Sequence, residues 1–276
     1  MDRRRLLTGA AVTAAGMTLG GSSLRIARKG QAARERAGSA VPDGLHPPLG
    51  RQQLIWSVPT REPLVALTFD DGPDPAFTPR ILDVLGSYGL HATFNVIGYN
   101  AIRHADLLRA VLRAGHELGN HTWTHQDLVF QSPAATRRQL TRGQTAIEQT
   151  ASVRPRFFRP PRGELTGAAV SAAAELGQDI LLWSVTRGPA GVGAPAAVAD
   201  HIARAVAAGA ILALHDGIGR WTFDPHGPEA RLLRARRSVE VAAFPAVIER
   251  VLARGLRFVT ASALIDTGPS TPPVRR

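Results

Sequence analysis

The chain has 276 residues, 44% of them hydrophobic, which is enough for one large domain with a full core. It contains no cysteine, so disulfides, thiolate nucleophiles and thiolate-held metals are excluded, and any metal site must draw on His, Asp, Glu or water. The formal charge of +11 is carried almost wholly by arginine, and positions 1–36 hold eight basic and two acidic residues; the +5 left over the remainder makes no case for a nucleic-acid binder.

Positions 1–40 read as an export signal and the start of a linker. Arg3, Arg4 and Arg5 precede a weakly apolar stretch at 6–24, and the Arg-Arg-x-Leu-Leu pattern is similar to a twin-arginine leader. The stretch is too rich in Thr and Gly for a good membrane span, so no stable span is expected after signal removal. The mature protein is expected to be extracellular or in the cell envelope. Positions 41–61 hold four prolines without periodicity and read as a linker leading into the domain.

From 62 to 265, strand-like and helix-like runs alternate. Strands are predicted at 64–69, 92–97, 117–120, 156–159, 179–185, 210–214 and 257–260. Helices are predicted between them at 79–87, 101–114, 133–150, 165–176, 195–208 and 242–253. Pro79, Pro133 and Pro195 suit first helical turns, and Gly115, Gly177, Gly209 and Gly255 suit helix ends. The runs Ile180-Leu-Leu-Trp183 and Ile211-Leu-Ala-Leu214 are continuously apolar, as in parallel strands buried on both faces. About seven strands alternating with six helices predict a single α/β domain of barrel type. The four arginines at 231–237 lack interleaved aromatics and read as a solvated face. Positions 266–276, with three prolines, read as a disordered tail.

The chemistry is expected at strand ends. Asp70 and Asp71 follow the run 64–69; adjacent like charges repel, and a cation held by one would leave the other free as a base. His121 and His125 are four apart, a spacing that on a helical turn aims both imidazoles at one point. With Asp71 they make a two-imidazole, one-carboxylate set suited to a catalytic divalent metal. Arg159 is expected to pair with Asp70 and keep it ionised, and the Arg162 N–H to donate to a developing oxyanion. His215 directly follows a buried strand and is placed as a general acid. His91, His104, His116, His201 and His226 read as surface or structural.

Four motifs in order, Thr68-Phe-Asp-Asp-Gly-Pro73, His121-x-x-x-His125, Arg159-x-Pro161 and Leu212-x-Leu-His-Asp216, resemble the polysaccharide deacetylase (NodB-homology) family, carbohydrate esterase family 4. The resemblance spans roughly 62–262. It implies a distorted (β/α) barrel and metal-dependent removal of acetyl groups from an N-acetylated glycan, be it peptidoglycan, a chitin-like chain or a secreted polysaccharide. It implies Asp71, His121 and His125 as ligands of a divalent metal, zinc first, with cobalt or nickel also suited. Asp70 looks like the base, Arg159 like its holder, His215 like the acid, and Trp183 and Leu214 like walls of the acetyl pocket. A metal-dependent hydrolase of a non-sugar amide, or a glycan-binding envelope relative without turnover, are the alternatives. Arg162 stands where the family usually has an aromatic. Thr186 stands where it usually has an aspartate thought to support the histidine, and Pro189-Ala190 where it has Asp-Trp. Without that carboxylate a lower pH optimum, or a weaker dependence on His215, is expected, with Asp224 as the candidate substitute.

Overall fold

The structure, a computed structural model, describes residues 52–188 and 193–268. The export signal, the first part of the linker, Pro189-Ala190 and the tail from 269 lie outside the described residues.

Nine strands form one sheet: β1 (Leu54–Ile55), β2 (Leu64–Asp70), β3 (Thr93–Val96), β4 (Glu117–Asn120), β5 (Phe157–Phe158), β6 (Asp179–Leu181), β7 (Val185–Thr186), β8 (Ile211–His215) and β9 (Arg257–Val259). Their order is β1-β6-β5-β4-β3-β2-β8-β7, with β9 beside β2, and every ladder is parallel. An antiparallel bridge from Ser57 to Ala210 draws the β1 edge back toward β8, and the sheet curls into a distorted (β/α) barrel. The stretch read as linker therefore contributes β1 to the sheet.

The helices are α1 (Thr78–Tyr88), α2 (Gly98–Arg103), α3 (Ala105–Arg113), α4 (Pro133–Ala151), α5 (Gly167–Leu176), α6 (Pro195–Ala205), α7 (Pro228–Ala253) and α8 (Ala261–Ile265). Local chemistry explains several boundaries. Ser132 caps α4 by accepting from the Ala135 N–H, with Pro133 at its first position, and Thr166 caps α5 in the same way. Gly177 closes α5 at φ 67°, a conformation open to glycine at little cost.

Three elements differ from expectation. The helix expected at 101–114 breaks at His104, whose φ −122° and ψ 47° leave the helical region. The strand expected at 179–185 divides into β6 and β7, because the Arg159 guanidinium takes the carbonyls of Leu181 and Leu182 at 3.0 and 2.9 Å. The last long helix begins fourteen residues before the expected 242, at Pro228. Its buried residues Arg237, Glu240, Phe244, Ile248 and Val251 are spaced three or four apart, and Ala230 lies two turns earlier, so they fall on one face of the helix. The segment read as solvated thus turns Arg237, 6% exposed, inward.

Strand alternation then sorts the side chains. Val65, Leu67 and Phe69 of β2, with Leu212 and Leu214 of β8, join the core shared with Ile81, Ile202, Phe244 and Ile248 of the helices. Phe69 stacks on Phe94 at 5.1 Å and meets Phe244 edge-on at 5.2 Å. Leu64, Ala66 and Ile211 pack instead with Phe157 and Leu181 on the other face. Asp70 and His215 are register partners at the C-terminal ends of β2 and β8. Parallel ladders therefore deliver both groups to the same end of the barrel, where such folds carry their sites.

Candidate metal and catalytic site

A cavity of about 430 Å³ opens at that end. Asp70, Asp71, His121, His125, Arg162, Trp183 and His215 line it, together with Ile218, Trp221, Leu232, Leu233, Arg236 and Arg237 from the segment after β8. Leu214 is not in its wall. It is 1% exposed and belongs to the helix-side core, because it alternates with His215 and faces the other way. Its expected place in an acetyl pocket is corrected accordingly; the apolar wall comes from Ile218, Trp221 and the first turns of α7.

The two histidines are held by a loop rather than the expected helical turn. Thr122 (φ 68°) and His125 (φ 54°) take left-handed conformations. Side-chain bonds replace the helical ladder: Thr122 N–H donates to Asn120 Oδ1, His125 N–H to Thr122 Oγ1, and Thr124 N–H to Gln139 Oε1. His121 Nδ1–H donates to the Arg159 carbonyl at 2.8 Å, which turns Nε2 toward Asp71. Asp71 Oδ1 lies 3.5 Å from His121 Nε2 and 3.2 Å from His125 Nε2. One ligand atom from each residue falls within 4.8 Å of the others.

This cluster fits a divalent ion. Asp71 Oδ1, the oxygen that faces Nε2 of both imidazoles, is buried with no hydrogen-bond partner. Two imidazoles and one carboxylate are a donor set that first-row metals accept with open positions left over. Gly219, at φ 61°, is close by; a Cβ there would stand 3.2 Å from His125 Nδ1 and 3.3 Å from Asp71 Oδ1. Burial alone would raise the Asp71 carboxyl, but His125, His121 and Arg237 outweigh it and hold the group well below its usual range.

Asp70 stands beside the cluster, 4% exposed. Its Oδ1 accepts from Arg159 Nη1 and from Asn95 Nδ2, both at 2.8 Å. Burial raises its pKa, but Arg159, then His121 and His215, win and lower it. Arg159 is fully buried and also donates to Thr68 Oγ1 at 2.6 Å, so each of its bonds fixes a barrel element. Arg159→Met is expected to lower stability by about 3–5 kcal/mol, because Asp70 would be left as an uncompensated buried charge. Urea unfolding measures this, and a loss below about 1 kcal/mol would show that the pair does not brace the fold. Arg162 has φ 57°, and its half-exposed side chain pairs with Asp127 at 3.0 Å.

His215 does have a carboxylate neighbour. Its Nδ1–H donates to Glu240 Oε1 at 3.1 Å, and Glu240, on α7, is 2% exposed. Asp224, the expected substitute, is an exposed residue ending the short turn Gly219–Phe223 and has no bond to His215. The expectation of a lower pH optimum loses its premise. Arg237 is the second residue that the sequence reading missed: Nη2 reaches Asp71 Oδ2 at 3.1 Å, Nε the Gly217 carbonyl at 2.8 Å, and Nη1 Glu240 Oε2 at 3.3 Å.

Asp216, 1% exposed, is pushed up to about 8 by burial, and the neighbouring Asp71, Asp74 and Asp70 push the same way. The Thr78 hydroxyl, donating to Oδ2 at 2.7 Å, opposes them without prevailing. The folded pKa thus lies above the unfolded one. Its contribution to stability is complete below about pH 4 and is lost as pH climbs toward 8. In metal-free protein, Asp216→Asn is expected to gain on the wild type steadily over that range, by a few kcal/mol in all. Denaturant midpoints at pH 5, 6.5 and 8 provide the check, and a constant offset at all three would refute the assignment.

The sequence model of the family described as polysaccharide deacetylase matches residues 57–181, a span that holds Asp70, Asp71, His121, His125 and Arg159 but ends before His215 and Glu240. A peptidoglycan-N-acetylglucosamine deacetylase of Bacillus cereus is 35% identical over 214 residues, 77% of this chain and 92% of that one. A chitooligosaccharide deacetylase of Sinorhizobium fredii is 39% identical over 163 residues, 57% of this chain and 74% of that one. A solved peptidoglycan N-acetylglucosamine deacetylase, in complex with 4-naphthalen-1-yl-N-oxidanyl-benzamide, superposes with a TM-score of 0.68 at 28% identity, over 78% of this chain and 94% of that one.

Proposed function

Because this chain belongs to the polysaccharide deacetylase family, we propose that it hydrolyses the N-acetyl groups of a glycan at the Asp71, His121 and His125 cluster. The observation that carries this reading is the arrangement around that cluster. An ionised carboxylate, Asp70, is clamped by Arg159 on one side, and a carboxylate-backed imidazole, His215, is its register partner across the sheet. An ion with no need for a base and an acid beside it would not require both.

Asp71, His121 and His125 would hold the ion, with zinc the first choice for this donor set. Such an ion supplies a Lewis acid for the amide carbonyl and lowers the pKa of water. The chain's own residues do the rest. Asp70 takes the proton from the attacking water, and Arg159 keeps the carboxylate oriented for it. The Arg162 N–H donates to the oxyanion as the carbonyl carbon becomes tetrahedral. His215 gives a proton to the departing sugar nitrogen, which leaves as an amine instead of an unstable anion. Trp183 and the apolar residues of the cavity wall enclose the acetyl group and exclude water.

The substrate in this reading is a polymer or oligomer of N-acetylglucosamine type, as the names of the two relatives suggest. Acetate release from N-acetylated peptidoglycan and from chitooligosaccharides, with zinc added, tests it. Release from either supports the reading, and zinc-loaded protein that releases none from any N-acetylated glycan ends it. Export by a twin-arginine route is part of the same proposal and is supported by Arg3, Arg4, Arg5 and the stretch behind them. A reporter fused to positions 1–40 should stay inside when the arginines become lysine; export that survives the change argues against the route. No helix among the described residues is long and apolar enough to cross a membrane.

A further inference from the structure

We propose that Glu240, reaching in from the middle of α7, is the positioning residue for His215 and takes the role that the family usually gives to an aspartate at position 186. The proposal rests on the reading of His215 as the acid. Position 186 is a half-buried threonine, and the next residue, Arg187, carries the opposite charge to the one expected at this strand end. The carboxylate has moved to the helix and the cation to the strand. Arg187 Nε lies 3.6 Å from Glu240 Oε2, and Arg237 Nη1 lies 3.3 Å from the same oxygen. Two guanidiniums thus fix one carboxylate oxygen and leave Oε1 for the imidazole.

That bond decides what His215 can do. Accepting from Nδ1–H selects one tautomer and locks the ring, so that Nε2 is the nitrogen left for the cavity. Glu240 is held ionised: burial pushes it up, but His215 and the two arginines bring it below its usual value. Arg237 also donates to Asp71, so a single guanidinium sets the support of the acid in register with the ligand cluster. Alternatively, Glu240 could serve only as a counter-ion for Arg187 and Arg237. Any carboxylate between them would then suffice, whether or not it reached His215.

The test uses zinc-loaded, full-length protein and a chitooligosaccharide. Glu240→Gln is expected to lower kcat about 100-fold, with KM and zinc content kept. In a His215→Ala background the same change should cost nothing further, because the two residues act as a unit. Glu240→Asp keeps the charge between the arginines, and with it the fold, but draws the oxygen back from the ring; kcat should fall about tenfold at an unchanged melting temperature. Nitrogen-15 NMR of the histidine rings gives a readout that needs no turnover. At pH 8.5 His215 should carry its proton on Nδ1 in the wild type and lose that preference in Glu240→Gln. Wild-type kcat in Glu240→Asp, additive losses in the double variant, or an Nε2–H tautomer in the wild type would each overturn the proposal. A wild type that releases no acetate condemns the parent reading instead, and the tautomer still judges the role of Glu240.

Discussion

Asp70→Asn is expected to cut acetate release by about 10³-fold while leaving the bound ion in place. The substitution is nearly isosteric. An asparagine carbonyl can accept the same two donors that Asp70 Oδ1 accepts, Arg159 Nη1 and Asn95 Nδ2. Arg159 keeps its three other bonds, to Thr68, Leu181 and Leu182, so it is not left without partners. None of the three cluster residues changes. The loss is confined to proton acceptance, since an amide has no useful basicity in this range. General base catalysis contributes roughly 10²–10⁴-fold, which sets the size expected. Steady-state kcat alongside metal analysis of the same sample settles the matter. Activity within tenfold of wild type, with the ion retained, would place the base elsewhere and take the mechanism with it. Loss of the ion would instead make Asp70 a ligand.

The groups that chemistry needs at strand ends were legible because they are local. Asp70 and Asp71 close an apolar run, and β2 starts and ends within one residue of expectation. The pairing of Arg159 with Asp70 followed from charge and strand-end placement alone, and the structure brings the two to 2.8 Å. What escaped was carried by long range or by the wrong emphasis. Glu240 lies 25 residues beyond His215 on a helix whose first turns look solvated because they are rich in arginine. The signal was present in the spacing: Arg237, Glu240, Val241, Phe244 and Ile248 form a single buried stripe, and buried charged side chains there need polar partners inside the fold. Leu214 was misplaced although period-two alternation already sets it opposite to His215. The histidine spacing fits a helical turn and a loop equally well, and only the side-chain bonds of Asn120, Thr122 and Gln139 decide between them.

Chelation is expected to abolish turnover and to lower the melting temperature by about 5–10 °C. The metal-free electrostatics explain why the cluster wants a cation. Burial alone would depress His121, but Asp71 and Asp70 beside it prevail and raise it. His125 is pushed down to about 4 by burial, with Asp71 opposing and the charge on His121 adding to the depression. Asp71 Oδ1, the oxygen facing both imidazoles, is buried without a hydrogen-bond partner. An ion would satisfy that oxygen, and because its ligands must be unprotonated, protons compete for the site and binding weakens as pH falls. Zinc at a hundredfold excess over its Kd would add about 2.7 kcal/mol, and a domain of this size shifts by roughly 2–4 °C per kcal/mol, which gives the range above. Thermal melts with EDTA, then with zinc restored, measure it directly. His125→Ala should melt at the chelated temperature and ignore added zinc. A wild-type melt that neither falls with EDTA nor rises with zinc would mean that the three side chains converge for a structural reason, and the hydrolytic reading of the cavity would lose its centre.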